Sequence, residues 1–124
     1  MKRWSIVLVV SSVLSLAPDS SNAFDGLRFN LSPGVALAPA NVNVRARVDR
    51  DADNRGLEIA AESDEFFRSS YIALDGDRAP VVTELSFKGL PSGQYRVSVV
   101  LHGSHGVRSS VSKPLMILGS SEER

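Results

Sequence analysis

From Val42 onward the chain alternates. Val42, Val44, Ala46 and Val48 are separated by Asn43, Arg45 and Arg47, and a period of two puts one face of a strand in a core and the other in water. The polar run 49–55 then turns the chain. Gly56 to Glu62 repeats the pattern, with Leu57, Ile59 and Ala61 on one face and Glu58, Ala60 and Glu62 on the other. Ser63-Asp64-Glu65 is the next turn. Phe66 to Leu74 has the aromatic and β-branched content of a strand, but two sets compete for its inward face. Phe67, Ser69, Tyr71 and Ala73 form one, and Phe66, Arg68, Ser70, Ile72 and Leu74 the other. A bulge near Ser69-Ser70, or burial on both faces, reconciles them. Asp75-Gly76-Asp77 has the composition of a hairpin turn, because glycine tolerates positive φ. Val81, Thr83, Leu85 and Phe87 alternate with Val82, Glu84, Ser86 and Lys88, which predicts a fourth strand ending at Gly89.

The chain then turns at Leu90-Pro91-Ser92-Gly93. Tyr95, Val97, Val99 and Leu101 alternate with Gln94, Arg96 and Ser98, and only Val100 breaks the pattern. A glycine-rich connection, His102 to Gly106, leads to a last strand from Val107 to Leu118. Pro114 inside it removes a ladder donor, so that strand belongs at a sheet edge. A Leu, a tight Gly turn and a Tyr opening a long apolar strand resemble the corner of immunoglobulin-like and fibronectin type III-like sandwiches. That resemblance, to bacterial domains of the type, covers roughly Pro39 to Leu118. It implies that the Tyr95 ring enters the core while its hydroxyl reaches back to the preceding turn. The fold expected is therefore all-β, an antiparallel two-sheet immunoglobulin-like sandwich of six or seven strands. The paired cysteines and third-strand Trp of antibody-type domains are missing; the only Trp is Trp4.

Upstream of the alternation the pattern changes twice. Lys2 and Arg3 precede an 11-residue, mostly apolar run from Ile6 to Leu16, followed by Pro18 and the small residues Ser21-Asn22-Ala23. This is the layout of a cleavable signal peptide over residues 1–23, and the run is too short for a membrane-spanning helix of about 20 residues. Residues 24–41 are punctuated by Gly26, Pro33, Gly34 and Pro39, which predicts a flexible leader or a loose edge strand carrying Phe24, Leu27, Phe29 and Leu31. Asn30-Leu31-Ser32 fits the N-glycosylation triplet. The sandwich is expected over 42–118 and a polar tail over 119–124. Periplasmic or secreted location follows, with no membrane anchor after cleavage. The chain has no cysteine, so no disulfide is available.

Charge narrows the partners. Cleavage after Ala23 removes Lys2, Arg3 and Asp19 and takes the 14 basic and 14 acidic residues to 12 and 13, a net charge of −1. That balance points away from nucleic acid and from general electrostatic adhesion to membranes. The expected partner is another envelope or surface protein, a surface polymer, or a second copy through an edge strand.

Four groups of residues invite chemistry. Arg68, Tyr71, Asp75 and Asp77 are the expected contact strip, since Arg and Tyr dominate interface hot spots. Asp49, Asp51 and Asp53 resemble the start of a calcium loop, where hard oxygen ligands converge on one cation. Asn54 and Ala60 stand where that pattern needs Gly and Glu, so calcium is the alternative to no cofactor. His102 and His105, the only histidines, are too few for a closed zinc site. With Ser104 they are the residues of an alternative small hydrolase, although H-G-S-H-G is not a nucleophile elbow. The leading expectation is a non-catalytic binding or structural module, not an enzyme; the alternatives are a calcium-stabilised adhesion-type module and that hydrolase.

Overall fold

A computed structural model describes residues 26–119. The signal-peptide reading of residues 1–23, Phe24, Asp25 and the tail beyond Gly119 lie outside the described residues. The eight strands are β1 (Leu27–Ser32), β2 (Val35–Leu37), β3 (Ala40–Val48), β4 (Gly56–Glu62), β5 (Phe67–Ala73), β6 (Val82–Leu90), β7 (Gly93–Gly103) and β8 (Gly106–Leu118). They form two sheets, β1-β3-β6 and β2-β8-β7-β4-β5. The inward residues are those the alternation selects. Val42, Val44, Ala46 and Val48 on β3 are buried against Leu57, Ile59 and Ala61 on β4 and Tyr95, Val97, Val99 and Leu101 on β7. The structure is an all-β, two-sheet sandwich.

The corner before β7 has the expected form. Tyr95 is buried, and its hydroxyl donates to the Pro91 carbonyl at 2.7 Å. Its ring meets Phe66 edge-on at 6.2 Å. Burial pushes the phenol pKa up, so the group stays a neutral donor through the physiological range.

Several local expectations are corrected. Residues 27–37 supply an edge strand to each sheet. β1 pairs antiparallel with β3 and buries Leu27 and Phe29, while β2 runs parallel to the end of β8. The sheets are thus not wholly antiparallel, and eight strands replace six or seven. β5 has no bulge: its register with β4 runs unbroken from Glu62↔Phe67 to Gly56↔Ala73. Phe67 points outward and is exposed, because the preceding Phe66 takes the place beside Tyr95. Asp75-Gly76-Asp77 is no hairpin turn. Gly76–Arg78 forms a short 3-10 turn in the crossover from β5 to β6, which lie in different sheets. Pro114 does sit on a stretch of β8 that pairs only with β7, just before β2 covers residues 116–118.

Both open seams of the sandwich are closed by a cationic side chain. On β5, Arg68 donates to the Lys88 carbonyl of β6 at 2.7 Å and lies over the Phe66 ring. On β8, Lys113 lies over the Phe29 ring of β1 and reaches Asn30 Oδ1 at 3.5 Å. The charged groups themselves stand over the rings, 5.1 Å from the Phe66 centroid and 5.4 Å from that of Phe29, which makes both contacts cation–π in kind.

Tyr95→Phe keeps the ring and leaves the Pro91 carbonyl without its donor. It is expected to lower stability by about 1–2 kcal/mol, read from urea unfolding midpoints; an unchanged midpoint would show that the hydroxyl is not needed at the corner.

Candidate functional site

Three connections meet at one end of the sandwich: residues 49–55 between β3 and β4, the 3-10 turn after β5, and the β7–β8 hairpin. Asn54 holds them. Its side chain is buried at 2% exposure, accepts from Arg108 Nη1 at 2.7 Å and donates to the Asp49 carbonyl at 3.0 Å. Its backbone carbonyl accepts from Gly76 N at 3.0 Å. Arg55 adds two backbone bonds, donating to the His102 carbonyl at 2.8 Å and accepting from Leu74 N at 3.0 Å.

The three aspartates of the calcium expectation do not converge on an empty space. Asp51 Oδ1 accepts from Asp53 N at 2.8 Å and lies 3.3 Å from Arg108 Nη1. Asp53 Oδ2 lies 3.8 Å from Arg108 Nε, and its Oδ1 accepts from the Ser104 hydroxyl at 2.6 Å and from Ser104 N at 3.2 Å. The Asp49 side chain is exposed. The Arg108 guanidinium thus occupies the position between Asp51 and Asp53 that a cation would take. Gly103 makes room for this pairing, since a Cβ there would stand 2.5 Å from Asp53 Oδ2 and 2.7 Å from Arg108 Cδ. The Ser104 hydrogen bonds hold the Asp53 carboxyl below the usual aspartate value, with Arg108 and Arg55 acting in the same direction.

The two histidines point to different partners. His105 Nδ1 lies 3.1 Å from Ser104 Oγ, which places the serine between a carboxylate and an imidazole. In nucleophilic catalysis of the triad type the imidazole stands in the middle. Here the one hydroxyl proton goes to Asp53, so nothing draws it off the serine toward a base. His102 Nε2 lies 3.2 Å from Glu58 Oε1 across the outer face of the five-stranded sheet.

The expected contact strip is also divided. Arg68 closes the β5–β6 seam, whereas Tyr71 stands on the opposite face of β5, and Asp75 and Asp77 are exposed in the crossover. Tyr71 has other company. It is 59% exposed, its ring lies 5.9 Å from the His102 ring at a 55° tilt, and its hydroxyl end overlies Gly56, where any Cβ would collide with it. Glu58, opposite Tyr71 on β4, completes the group. The sequence marked Tyr71 and His102 separately; only the register of β5 on β4 and of β4 on β7 brings them together.

No protein-family model matches the chain, and no curated protein sequence matches it. Among solved structures, a superoxide reductase (neelaredoxin) from Ignicoccus hospitalis is similar with a TM-score of 0.54 at 17% identity, over 73% of this chain and 79% of that one. Two variants of that protein give the same TM-score. A family 76 glycoside hydrolase from a bovine Bacteroides thetaiotaomicron strain is similar at a TM-score of 0.47 and 18% identity, over 73% of this chain and 19% of that one, too slight a likeness to bear on function.

These findings correct two expectations. The chain was expected not to be an enzyme, yet three solved chains of similar fold are reductases by name, so the fold gives no ground for setting catalysis aside. At 17% identity the architecture carries over and the activity does not. The cofactor expectation, none or calcium, loses its support as well, because the neighbours are reductases by name and electron transfer in proteins of that kind is carried by metals or organic cofactors. The described residues do not fit a redox metal: no group of three His, Cys, Asp or Glu converges among them, and Asp51 and Asp53 are engaged by Arg108.

Two outcomes test this end of the molecule. Asn54→Ala removes the amide that bonds the Asp49 carbonyl and Arg108 and is expected to cost about 2–3 kcal/mol, measured by chemical unfolding. Ser104→Ala is expected to move the Asp53 pKa up toward the ordinary value, followed by NMR of the carboxyl carbon. Because the folded-state value is lowered, the Asp53–Ser104 contact stabilises the fold above roughly pH 4, and that contribution is lost as pH falls through the folded value. An Asp53 midpoint unmoved by the substitution would assign the shift to the arginines instead.

Proposed function

We propose that the chain is an exported, immunoglobulin-like sandwich that works as a binding module of the cell envelope, contacting a surface protein or polymer through the outer face of its five-stranded sheet. The observation that carries this reading is the exposed Tyr71 ring, set over Gly56 and against the His102–Glu58 pair. An aromatic that leaves most of its surface in water, on a regular strand with a glycine beneath it, gains little for the fold and offers a large, rigid contact area. Around it the same face carries small side chains, with Ala60, Ser69, Ser98 and Ser112 in register across four strands. A flat floor of that kind lets a partner approach the backbone closely. Export is supported by the charged, apolar and small-residue segments of residues 2–23, and the immunoglobulin-like assignment by the Tyr95 corner. Of the contact residues expected from sequence, Tyr71 belongs to this face; Asp75 and Asp77 lie at its loop end and are proposed as rim contacts.

Covalent cross-linking in the native host, with the protein as bait, tests the reading. One specific captured species is expected, lost in Tyr71→Ala and weakened in Gly56→Ala, which displaces the ring without removing it, with melting temperatures near that of the parent. Capture that survives both substitutions would move the contact surface elsewhere. The released protein is expected to begin at Phe24 by intact mass.

A further inference from the structure

The near-zero net charge conceals a sorted surface. On the outer face of the three-stranded sheet, Arg28 on β1 and Arg47 on β3 are directly opposite partners, and Arg45 stands one position along the same face of β3, opposite Asn30. Across β3 on its other side, Arg45 meets Glu84, with which it forms an ion pair, but Arg47 meets Val82. Among the described residues, Arg28 and Arg47 therefore have no carboxylate partner. Directly opposed residues have Cβ atoms only about 5 Å apart, and like charges there are destabilising. The sheet nevertheless sets two arginines directly opposite each other on one face. They line a hollow of about 180 Å³ with Arg45 and Lys113, the latter reaching in from β8. Nothing in the fold requires this, since β1 and β3 are paired by their backbones and packed by Leu27, Phe29 and Val48 on the other face.

We propose that this hollow binds a phosphate or sulfate group carried on a soluble polysaccharide. Two planar forks and an ammonium around one small concavity match a doubly charged tetrahedral oxyanion, which accepts paired N–H bonds from each guanidinium. The oxyanion also relieves the repulsion between Arg28 and Arg47, so binding energy and strain relief act together. The face favours a soluble chain over a bilayer, because the exposed large apolar side chains, Val35, Leu37, Phe67, Tyr71, Val107 and Leu118, all lie on strands of the other sheet. This site is on the opposite side of the sandwich from Tyr71 and stands independently of the partner proposed there.

The test titrates the purified protein with dextran sulfate and, separately, with phosphatidylcholine vesicles containing phosphatidic acid. The double variant Arg28→Gln/Arg47→Gln is compared with Arg50→Gln/Arg78→Gln, which removes the same charge from the loop end. Dextran sulfate is expected to bind the parent and the loop-end control alike, and the hollow variant about a hundredfold more weakly, from two lost charge-assisted contacts of about tenfold each. The hollow variant is expected to melt at or above the parent temperature, which a purely structural role for the arginines would not produce. Equal binding by parent and hollow variant, equal loss in the control, or binding to vesicles alone would each overturn the proposal.

Discussion

The Asn54 side chain is the contact on which this end of the fold depends. Two crossovers between the sheets and the β7–β8 hairpin converge there, and the two crossovers have no ladder of their own. A buried amide must satisfy both its oxygen and its nitrogen; Asn54 does so with Arg108 and the Asp49 carbonyl, while its backbone carbonyl fixes Gly76. The β3–β4 loop is thereby tied to β8 and to the β5–β6 crossover by one residue. Arg108 in turn gathers Asp51 and Asp53, so a cluster with the composition of a ligand site is instead an internally paired clasp. The polar end of the molecule is held by hydrogen bonds and ion pairs centred on Asn54 and Arg108.

Away from that end, the sandwich relies on packing alone, without a disulfide between the sheets. A two-sheet core is open along both seams where the outermost strands fail to meet. Arg68 and Lys113 close them in the same way, each with its charged group over a phenylalanine ring and on a polar atom of the facing strand. Each adds at most a modest electrostatic gain at such exposure, and the larger effect is exclusion of water from the apolar edge. Tyr95 and Phe66 do the corresponding work at the far end, where β6 turns into β7.

What the sequence shows of this fold is what period-two alternation can carry. β3, β4 and β7 read directly, because each buries one face and wets the other. β5 did not, since an edge strand has weak demands on both faces: Phe67 is turned out, Arg68 is turned toward the seam, and the apolar count alone cannot say which. The β5–β6 turn was misread because Asp-Gly-Asp permits a positive φ wherever it occurs, and the choice between hairpin and crossover rests on Asn54, 22 residues earlier in the chain. The parallel pairing of β2 with β8 likewise depends on a contact across almost the whole sandwich. Of the site residues, Tyr71 was legible as a type and not as a place. Its neighbours Gly56, Glu58 and His102 join it only through the registers of two strand pairs. The calcium reading failed at Arg108, a residue more than 50 positions from the aspartates it engages.

The two outer faces of the sandwich have been left in opposite electrostatic states by the same alternation rule. Any strand with one buried face presents every second residue to water, and whether those residues are Ser and Ala or Arg and Asn is indifferent to the core beneath. The five-stranded sheet presents small side chains between Tyr71 and Phe67, with the acids Glu58 and Glu62 beside Arg96 and His102, whereas the three-stranded sheet presents Arg28, Arg45, Arg47 and Lys88 against the single acid Glu84. Apart from Glu58 and Glu62 on β4, the remaining carboxylates of the described residues lie in the loops at the two ends, five of them in the 49–53 and 75–77 connections. A formal charge summed along the chain cancels these regions, but a ligand a few ångströms across does not sample the sum; with a screening length of about 8 Å at physiological ionic strength, it meets one face at a time. The uncompensated Arg28–Arg47 pair is the point where that sorting costs the fold stability, and it is found on the face whose backbone pairing and packing give it no other use.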